Sequence, residues 1–335
     1  MGVKLSEIII KKPIEFSDLK NKKIAIDFSN MAYQFLSSIR SPDGTPLMDS
    51  KGNVTSVYVG IFSRVSNLMS QGIKPCFVFD GKPPLLKTHT KEEREYRKRV
   101  AEEKLKQAKE EKDLKSIERY AKQTSRLTSD IVNGSKELLK SLGLPVIQAP
   151  SEADAQGAYL VEKGDVWGFA SSDIDCLLHN CPKLITNLTL SQRRKLPSGA
   201  FLKTTPEMIE LKDVLNNLNI TQDQLIVIAI LCGTDYNKGI HRVGPKTALK
   251  LVKQYQNFDD LFKEVKADFN WKKIYAIFKS MPIMKNYQLN YTDIDEDKIK
   301  EILIEKHEFS KERVEKTLQK LTKKDKSQSS LSKWS

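Results

Sequence analysis

Apolar residues along the chain fall into short runs that stop at, or just before, an acid. Lys22-Lys23-Ile24-Ala25-Ile26 leads into Asp27, and Pro75-Cys76-Phe77-Val78-Phe79 leads into Asp80. Val166-Trp167-Gly168-Phe169-Ala170 leads through Ser171-Ser172 into Asp173. Runs of this length and composition predict strands buried on both faces of a parallel sheet. Helical stretches lie between them, over 129–142 and 151–162. Strands alternating with helices predict an α/β domain, with its functional crevice beyond the carboxyl ends of the strands. Acids carried there by three separate strands would converge.

Residues 82–126 break this pattern. They hold 15 Lys or Arg and 9 acids with few large apolar side chains, which predicts a solvent-exposed helical excursion from the core. Helix-forming residues return through 223–231 and 246–255, so the C-terminal part is expected to be mainly helical. From Thr322 the chain is polar until Leu331 and Trp334, which reads as a flexible tail.

Composition narrows the choice of partner. Lys and Arg total 56 against 43 acids, a formal net charge of +13. Such a balance suits a polyanion, because basic side chains release the counterions condensed on nucleic acid, although a basic enzyme of another kind would show it too. A hydrophobic content of 39% excludes global disorder. Cys76, Cys176, Cys181 and Cys232 sit mainly in apolar runs without zinc-site spacing, so reduced core thiols in a reducing compartment are expected. No stretch approaches the roughly 18 apolar residues of a membrane span. The expectation is a soluble, intracellular monomer with no membrane partner.

The candidate chemistry lies in the acids: Asp27, Asp80, Glu152, Asp154, Asp173, Asp175 and Asp235. One acid at a strand end is ordinarily a cap or turn residue. Ser151 could also cap a helix with Asp154 as its capping-box partner. The Asp173/Asp175 pair resists such a reading. Two residues apart in an extended segment, they point to the same side and repel unless something positive sits between them. Seven acids in one crevice would need divalent cations. With only four histidines in the chain, oxygen-liganded Mg²⁺ or Mn²⁺ is the natural choice over zinc.

Five segments carry these acids in order along the chain. They are Asp27-Phe28-Ser29-Asn30-Met31-Ala32-Tyr33-Gln34-Phe35-Leu36, Phe77-Val78-Phe79-Asp80-Gly81-Lys82-Pro83-Pro84 and Ala149-Pro150-Ser151-Glu152-Ala153-Asp154-Ala155-Gln156. Ala170-Ser171-Ser172-Asp173-Ile174-Asp175 is the fourth. The fifth is Leu231-Cys232-Gly233-Thr234-Asp235-Tyr236-Asn237, followed by Gly239-Ile240 and Val243-Gly244-Pro245-Lys246-Thr247-Ala248. Taken together, the five resemble the flap endonuclease family of XPG-type structure-specific 5′ nucleases, and Asp154 stands where that family often has Glu. The resemblance runs from Met1 to about Phe262 and resumes at the C-terminus.

The resemblance implies a PIN-like 5′-nuclease fold: a parallel-type central sheet flanked by helices, a helical arch and a C-terminal helix–hairpin–helix region. It divides the chain into a nuclease core, 1–321, and a tail, 322–335. Within the core lie an N-terminal region 1–81, an arch 82–128, an internal region 129–215 and the helix–hairpin–helix with C-terminal helices 216–321. It further implies that the seven acids hold two divalent ions, directly or through water. Glu152, Asp154 and Asp80 would serve mainly one ion; Asp173, Asp175 and Asp235 would serve the other. Two such ions would activate water and stabilise the leaving oxygen in phosphodiester hydrolysis, leaving a 5′-phosphate.

Lys87 and Arg94 match arch residues that approach the scissile phosphate. Arg97 and Lys98 would lie on the same helical face, and Tyr33 matches an aromatic on which a base beside the cut stacks. Gly239, Gly244 and Lys246 would grip the duplex, with a monovalent cation such as K⁺ at the same element. Gly2 could become the chain start near the site. Gln328, Leu331 and Trp334 resemble a peptide that docks on the sliding clamp, although Ser335 replaces its usual second aromatic.

The function expected is therefore a flap endonuclease with 5′–3′ exonuclease activity on flapped or branched DNA, in replication and repair. A related 5′ exonuclease or junction-resolving nuclease is the alternative enzyme, and an inactive DNA- and clamp-binding scaffold the alternative of another class. The expected location is the nucleoid-associated cytoplasm of an archaeon, or the nucleus of a eukaryote.

Overall fold

The computed structural model describes the backbone of residues 5–111, 113–190, 193–195 and 201–331. The side chains of 88–94, 109, 114, 115, 118, 122, 193–195, 201–203 and 323–331 lie outside the described residues. Nine strands are described: β1 Lys12–Pro13, β2 Lys23–Asp27, β3 Lys74–Phe79, β4 Val146–Gln148, β5 Gly168–Ala170, β6 Lys183–Thr186, β7 Arg193–Lys195, β8 Phe201–Lys203 and β9 Glu207–Glu210. Seven of them form one sheet in the order β1-β9-β6-β5-β2-β3-β4, while β7 and β8 pair separately.

The five central strands, β6-β5-β2-β3-β4, are parallel. They carry the apolar runs that end in acids. In β2, Ile24 and Ile26 belong to one buried cluster and Ala25 to the other; in β3, Phe77 and Phe79 part from Cys76 and Val78 in the same way. This split is the two-residue period of a strand, with both faces apolar because helices cover both.

One face packs on Ala153–Glu162, Gln222–Cys232 and Pro245–Gln254. The other packs on Phe28–Ser38, Ser129–Ser141, Glu296–Lys300 and Lys311–Leu331. Helix Gln222–Cys232 is buried at every position from Leu225 to Leu231, as its all-round apolar sequence requires.

The sheet is mixed rather than purely parallel. β9 runs antiparallel to β6, and β1 antiparallel to β9. Glu207-Met208-Ile209-Glu210 escapes a search for apolar runs because an outer strand here needs to bury only Ile209. Chain order also matters for the site. β2 lies in the middle, with β3 and β4 added on one side and β5 and β6 on the other. The connections therefore diverge beside β2, opening a crevice at the carboxyl ends of β2 and β5.

The charged excursion forms two helices, Thr88–Glu110 and Leu114–Gln123, with Ala101, Ala108, Ile117 and Ala121 buried. At the other terminus, the helix Lys311–Leu331 continues past Thr322, where a flexible tail is expected; Val314, Leu318 and Leu321 are its buried anchors. No single described helix is long and apolar enough to cross a membrane.

Candidate active site

Asp27 is placed by β2, which is buried from Ile24 to its end. It ends β2 and caps the helix Phe28–Ser38, its Oδ1 accepting from Asn30 N at 2.9 Å. The stacked rings of Phe28 and Phe79, 4.0 Å apart, fix this corner, and burying such a ring stabilises by roughly 1.5–3 kcal/mol. Ser171, just past β5, donates from Oγ to Asp27 Oδ2 at 3.4 Å and accepts from Asp173 N at 3.1 Å. Asn30 Oδ1 accepts from both the N and Oγ of Ser172, at 3.0 and 2.9 Å. The loop bearing Asp173 and Asp175 is thus strapped to the helix that follows Asp27.

Asp80 follows β3 and accepts from Ala153 N at 2.8 Å, capping the helix Ala153–Glu162 from another strand. Gln148 Nε2 donates to the Asp80 carbonyl at 2.7 Å, holding the ends of β3 and β4 together. The capping box conceivable for Ser151 and Asp154 does not form. Ser151 Oγ donates to Lys82 O at 3.0 Å, and Glu152 is the N-cap, without a side-chain capping bond. Both Glu152 and Asp154 are left for other use. Glu152 Oε2 accepts from Tyr236 OH at 2.7 Å; its Oε1 meets Lys87 Nζ at 2.5 Å. Lys87 Nζ also lies 3.0 Å from Asp235 Oδ2.

Asp235 and Tyr236 sit on a loop closed by Asn237, whose Oδ1 accepts from Thr234 N and Oγ1 and whose Nδ2 donates to Ile230 O at 2.8 Å. Gly239 turns this loop at φ +77°, where a Cβ would come within 2.6 Å of the Cys232 carbonyl carbon. Gly244 caps Pro245–Gln254 and has open space around it, with Lys246 exposed at the helix start.

The seven carboxylates share one electrostatic site. Burial, then Asp80, pushes Asp27 up to about 8, and Asp173 adds to the push. Burial, then Asp27, Asp173, Asp175 and Glu152, pushes Asp154 well above the ordinary range. Burial also raises Asp173, which shares a hydrogen bond with Asp175 and feels Asp235. Burial opposes the charge on Lys87, yet Glu152 and Asp235 hold its pKa above the usual lysine value.

These carboxylates fit hard cations in the chemistry of their donors. The donors are all oxygens, they repel one another, and Asp154 Oδ1 is enclosed without a hydrogen bond. They are not yet arranged as a coordination shell: among the described residues, no three acids, histidines or cysteines surround a single cation position. In this arrangement the positive charge comes from Lys87, which reaches the carboxylates that the sequence reading assigns to a metal.

Tyr33 is 44% exposed, which removes the core-tyrosine reading, and Lys98 Nζ sits 5.8 Å from its ring centroid. Arg97 is exposed on the same helix. The side chains of Arg94, Gln328 and Leu331, and all of Gly2 and Trp334, lie outside the described residues. Sequence reasoning missed Tyr236, Ser171, Asn30 and Gln148. Tyr236 directly follows a predicted ligand, and Ser171 is a polar residue at the end of a buried run; both were visible signals.

Residues 1–101 match the XPG N-terminal domain and residues 143–235 the XPG I-region. The chain is 44% identical over 332 residues to flap endonuclease 1 of Aeropyrum pernix, covering 96% of this chain and 95% of that protein. The chain belongs to the flap endonuclease family. It is likewise 44% identical to the Pyrococcus furiosus flap endonuclease 1 over 339 residues, covering 100% of this chain and 99% of that one. The solved flap endonuclease-1 from Methanococcus jannaschii superposes with a TM-score of 0.76 at 41% identity, covering 96% of this chain and 98% of that one. The catalytic core of Rad2 in complex with DNA substrate shares the fold, with a TM-score of 0.70 at 23% identity over 96% of this chain and 100% of that one. This flap endonuclease is a structure-specific nuclease that acts on flapped or branched DNA, and nucleases of its family are metal-dependent.

Proposed function

We propose that this flap endonuclease hydrolyses the phosphodiester bond at the single-strand/double-strand junction with two Mg²⁺ ions, for which Mn²⁺ can substitute. The observation that carries the reading is the enclosed, unbonded Asp154 Oδ1 set among acids that raise its pKa. Asp80, Glu152 and Asp154 would hold one ion, and Asp173, Asp175 and Asp235 the other. Asp27 would act on the pair from the end of β2. When bound, the ions lower the pKa of the attacking water and stabilise the leaving oxygen.

The chain's own residues do the rest. Lys87 leaves Glu152 and Asp235 and, with Arg94, offers positive charge to the scissile phosphate. Tyr33 stacks on a base beside the cut, while Arg97 and Lys98 follow the single strand. The backbone from Gly239 to Gly244, with Lys246, grips a duplex phosphate, aided by K⁺. The same reading carries a 5′-phosphate product and 5′–3′ exonuclease activity, in Okazaki fragment maturation and repair in an archaeal nucleoid.

Cutting of a 5′-flapped duplex in Mg²⁺ should stop on adding EDTA and return with excess Mg²⁺. Persistent cutting in EDTA overturns the metal assignment, and a faster four-way junction than flap would favour the junction-resolving alternative. Gln328, Leu331 and Trp334 would dock on a sliding clamp. Truncation before Gln328 should keep basal activity and lose clamp stimulation; stimulation that persists removes this role.

A further inference from the structure

We infer that Tyr236 is a positioning residue for Glu152, holding one carboxylate oxygen so that the other faces the cation in the crevice. The inference rests on the reading of Glu152 as a metal ligand. The two oxygens of Glu152 are used differently: Oε2 takes the Tyr236 hydroxyl at 2.7 Å, and Oε1 takes the Lys87 ammonium at 2.5 Å. Glu152 is the N-cap of its helix yet makes no capping bond, so the helix does not fix its carboxylate. Tyr236 does.

The tyrosine is itself held from two sides. Its backbone N donates to Thr234 Oγ1 at 3.0 Å, inside the turn closed by Asn237. Its ring packs edge-on against buried Phe278, 5.5 Å between centroids. Phe278 meets the His179 ring at 5.3 Å, and His179 Nδ1 lies 3.2 Å from the Phe278 carbonyl. Burial lowers His179 to about 4, so this buttress is a neutral ring at working pH. The bond runs from the phenol hydroxyl to the carboxylate, the tyrosine donating. Phe278 belongs to the helix Trp271–Ser280, so the contact joins the C-terminal helices to the carboxylates. A donor to a charged acceptor is roughly twice as strong as a neutral pair, and losing the outer partner of a metal ligand typically weakens metal binding by about 10–100-fold.

The test uses the full chain and two readouts: Mn²⁺ binding by calorimetry without DNA, and the Mg²⁺ concentration giving half-maximal cutting of a 5′-flapped duplex. Tyr236→Phe keeps the ring against Phe278 and removes only the hydroxyl. Both metal constants should rise about tenfold or more, by a larger factor than kcat at saturating Mg²⁺ falls. A tyrosine with only a packing role would leave both constants where they are, and that result overturns the inference. Glu152→Gln separates the two claims. If it weakens Mn²⁺ binding and Tyr236→Phe does not, the positioning role alone fails. If Glu152→Gln leaves Mn²⁺ binding unchanged, the ligand reading fails and takes the positioning role with it.

Discussion

The carboxylates and the arch hold their charges by different means. Asp27 and Asp80 stand at the ends of buried strands, bonded to Ser171 and to the start of the Ala153 helix, while Asp173 and Asp175 lie on a loop that Ser172 straps to Asn30. The arch helices bury mainly alanines, and Arg126, itself 45% exposed, joins them through Glu95 and Glu102 at 3.0 and 3.1 Å. Exposed ion pairs of this kind contribute about 0–1 kcal/mol each. The sheet therefore fixes where the acids are, while the arch supplies cations on a more weakly fastened support. Lys87 marks the meeting point: it leads into the arch helix but lodges its ammonium between Glu152 and Asp235.

Removing a charge from the rigid side should cost most. Asp173→Ala is expected to lower turnover of a flapped duplex by about 10³-fold while DNA binding, read by fluorescence anisotropy, persists. Normal turnover in this variant would break the comparison. On the arch side, Lys87→Ala should lower turnover by about 10²-fold with little change in DNA affinity. A loss confined to affinity would make Lys87 a binding residue instead.

Asp27, Asp80 and Asp173 are legible because an apolar run that stops at or near an acid is a strand delivering that acid to the carboxyl end of the sheet. Glu152 and Asp154 were ambiguous, since Ser151 could have made them a helix cap; only the bonds of Ser151 to Lys82 and of Ala153 to Asp80 exclude it. The antiparallel β9 escapes a search for apolar runs because its two apolar residues, Met208 and Ile209, sit between two acids and only Ile209 is buried. Tyr236 has a local signal in its position next to Asp235, but the partner that gives it a role, Glu152, lies 84 residues away.

The pH dependence sharpens the contrast further. Asp27 is raised to about 8 and Asp154 and Asp173 are raised as well, so the metal-free fold prefers these carboxyls protonated. A group whose folded pKa lies above its unfolded value contributes stability that is complete below about pH 4 and lost as pH rises through about 8. Metal-free Tm should thus fall across this window, and Mg²⁺ should raise Tm more at pH 8 than at pH 6, measured by scanning calorimetry. A metal-free Tm that climbs from pH 4 to 8 would contradict the shared-charge account. The smallest effect belongs to the arch: Arg126→Ala should change stability by less than about 1 kcal/mol in denaturant titration. A larger loss would show that the arch is fastened as firmly as the sheet.

The central claim is that carboxylates from β2, β3, the Ala153 helix start, the loop past β5 and the Asp235 loop form one divalent-cation site. Crystals grown in Mn²⁺ and measured at its absorption edge test it most directly. Two anomalous peaks are predicted, one beside Glu152 and Asp154 and one beside Asp173 and Asp175, with the Lys87 ammonium withdrawn from Glu152. A difference map with no peak among these acids, and Lys87 still paired to Glu152 and Asp235, would contradict it.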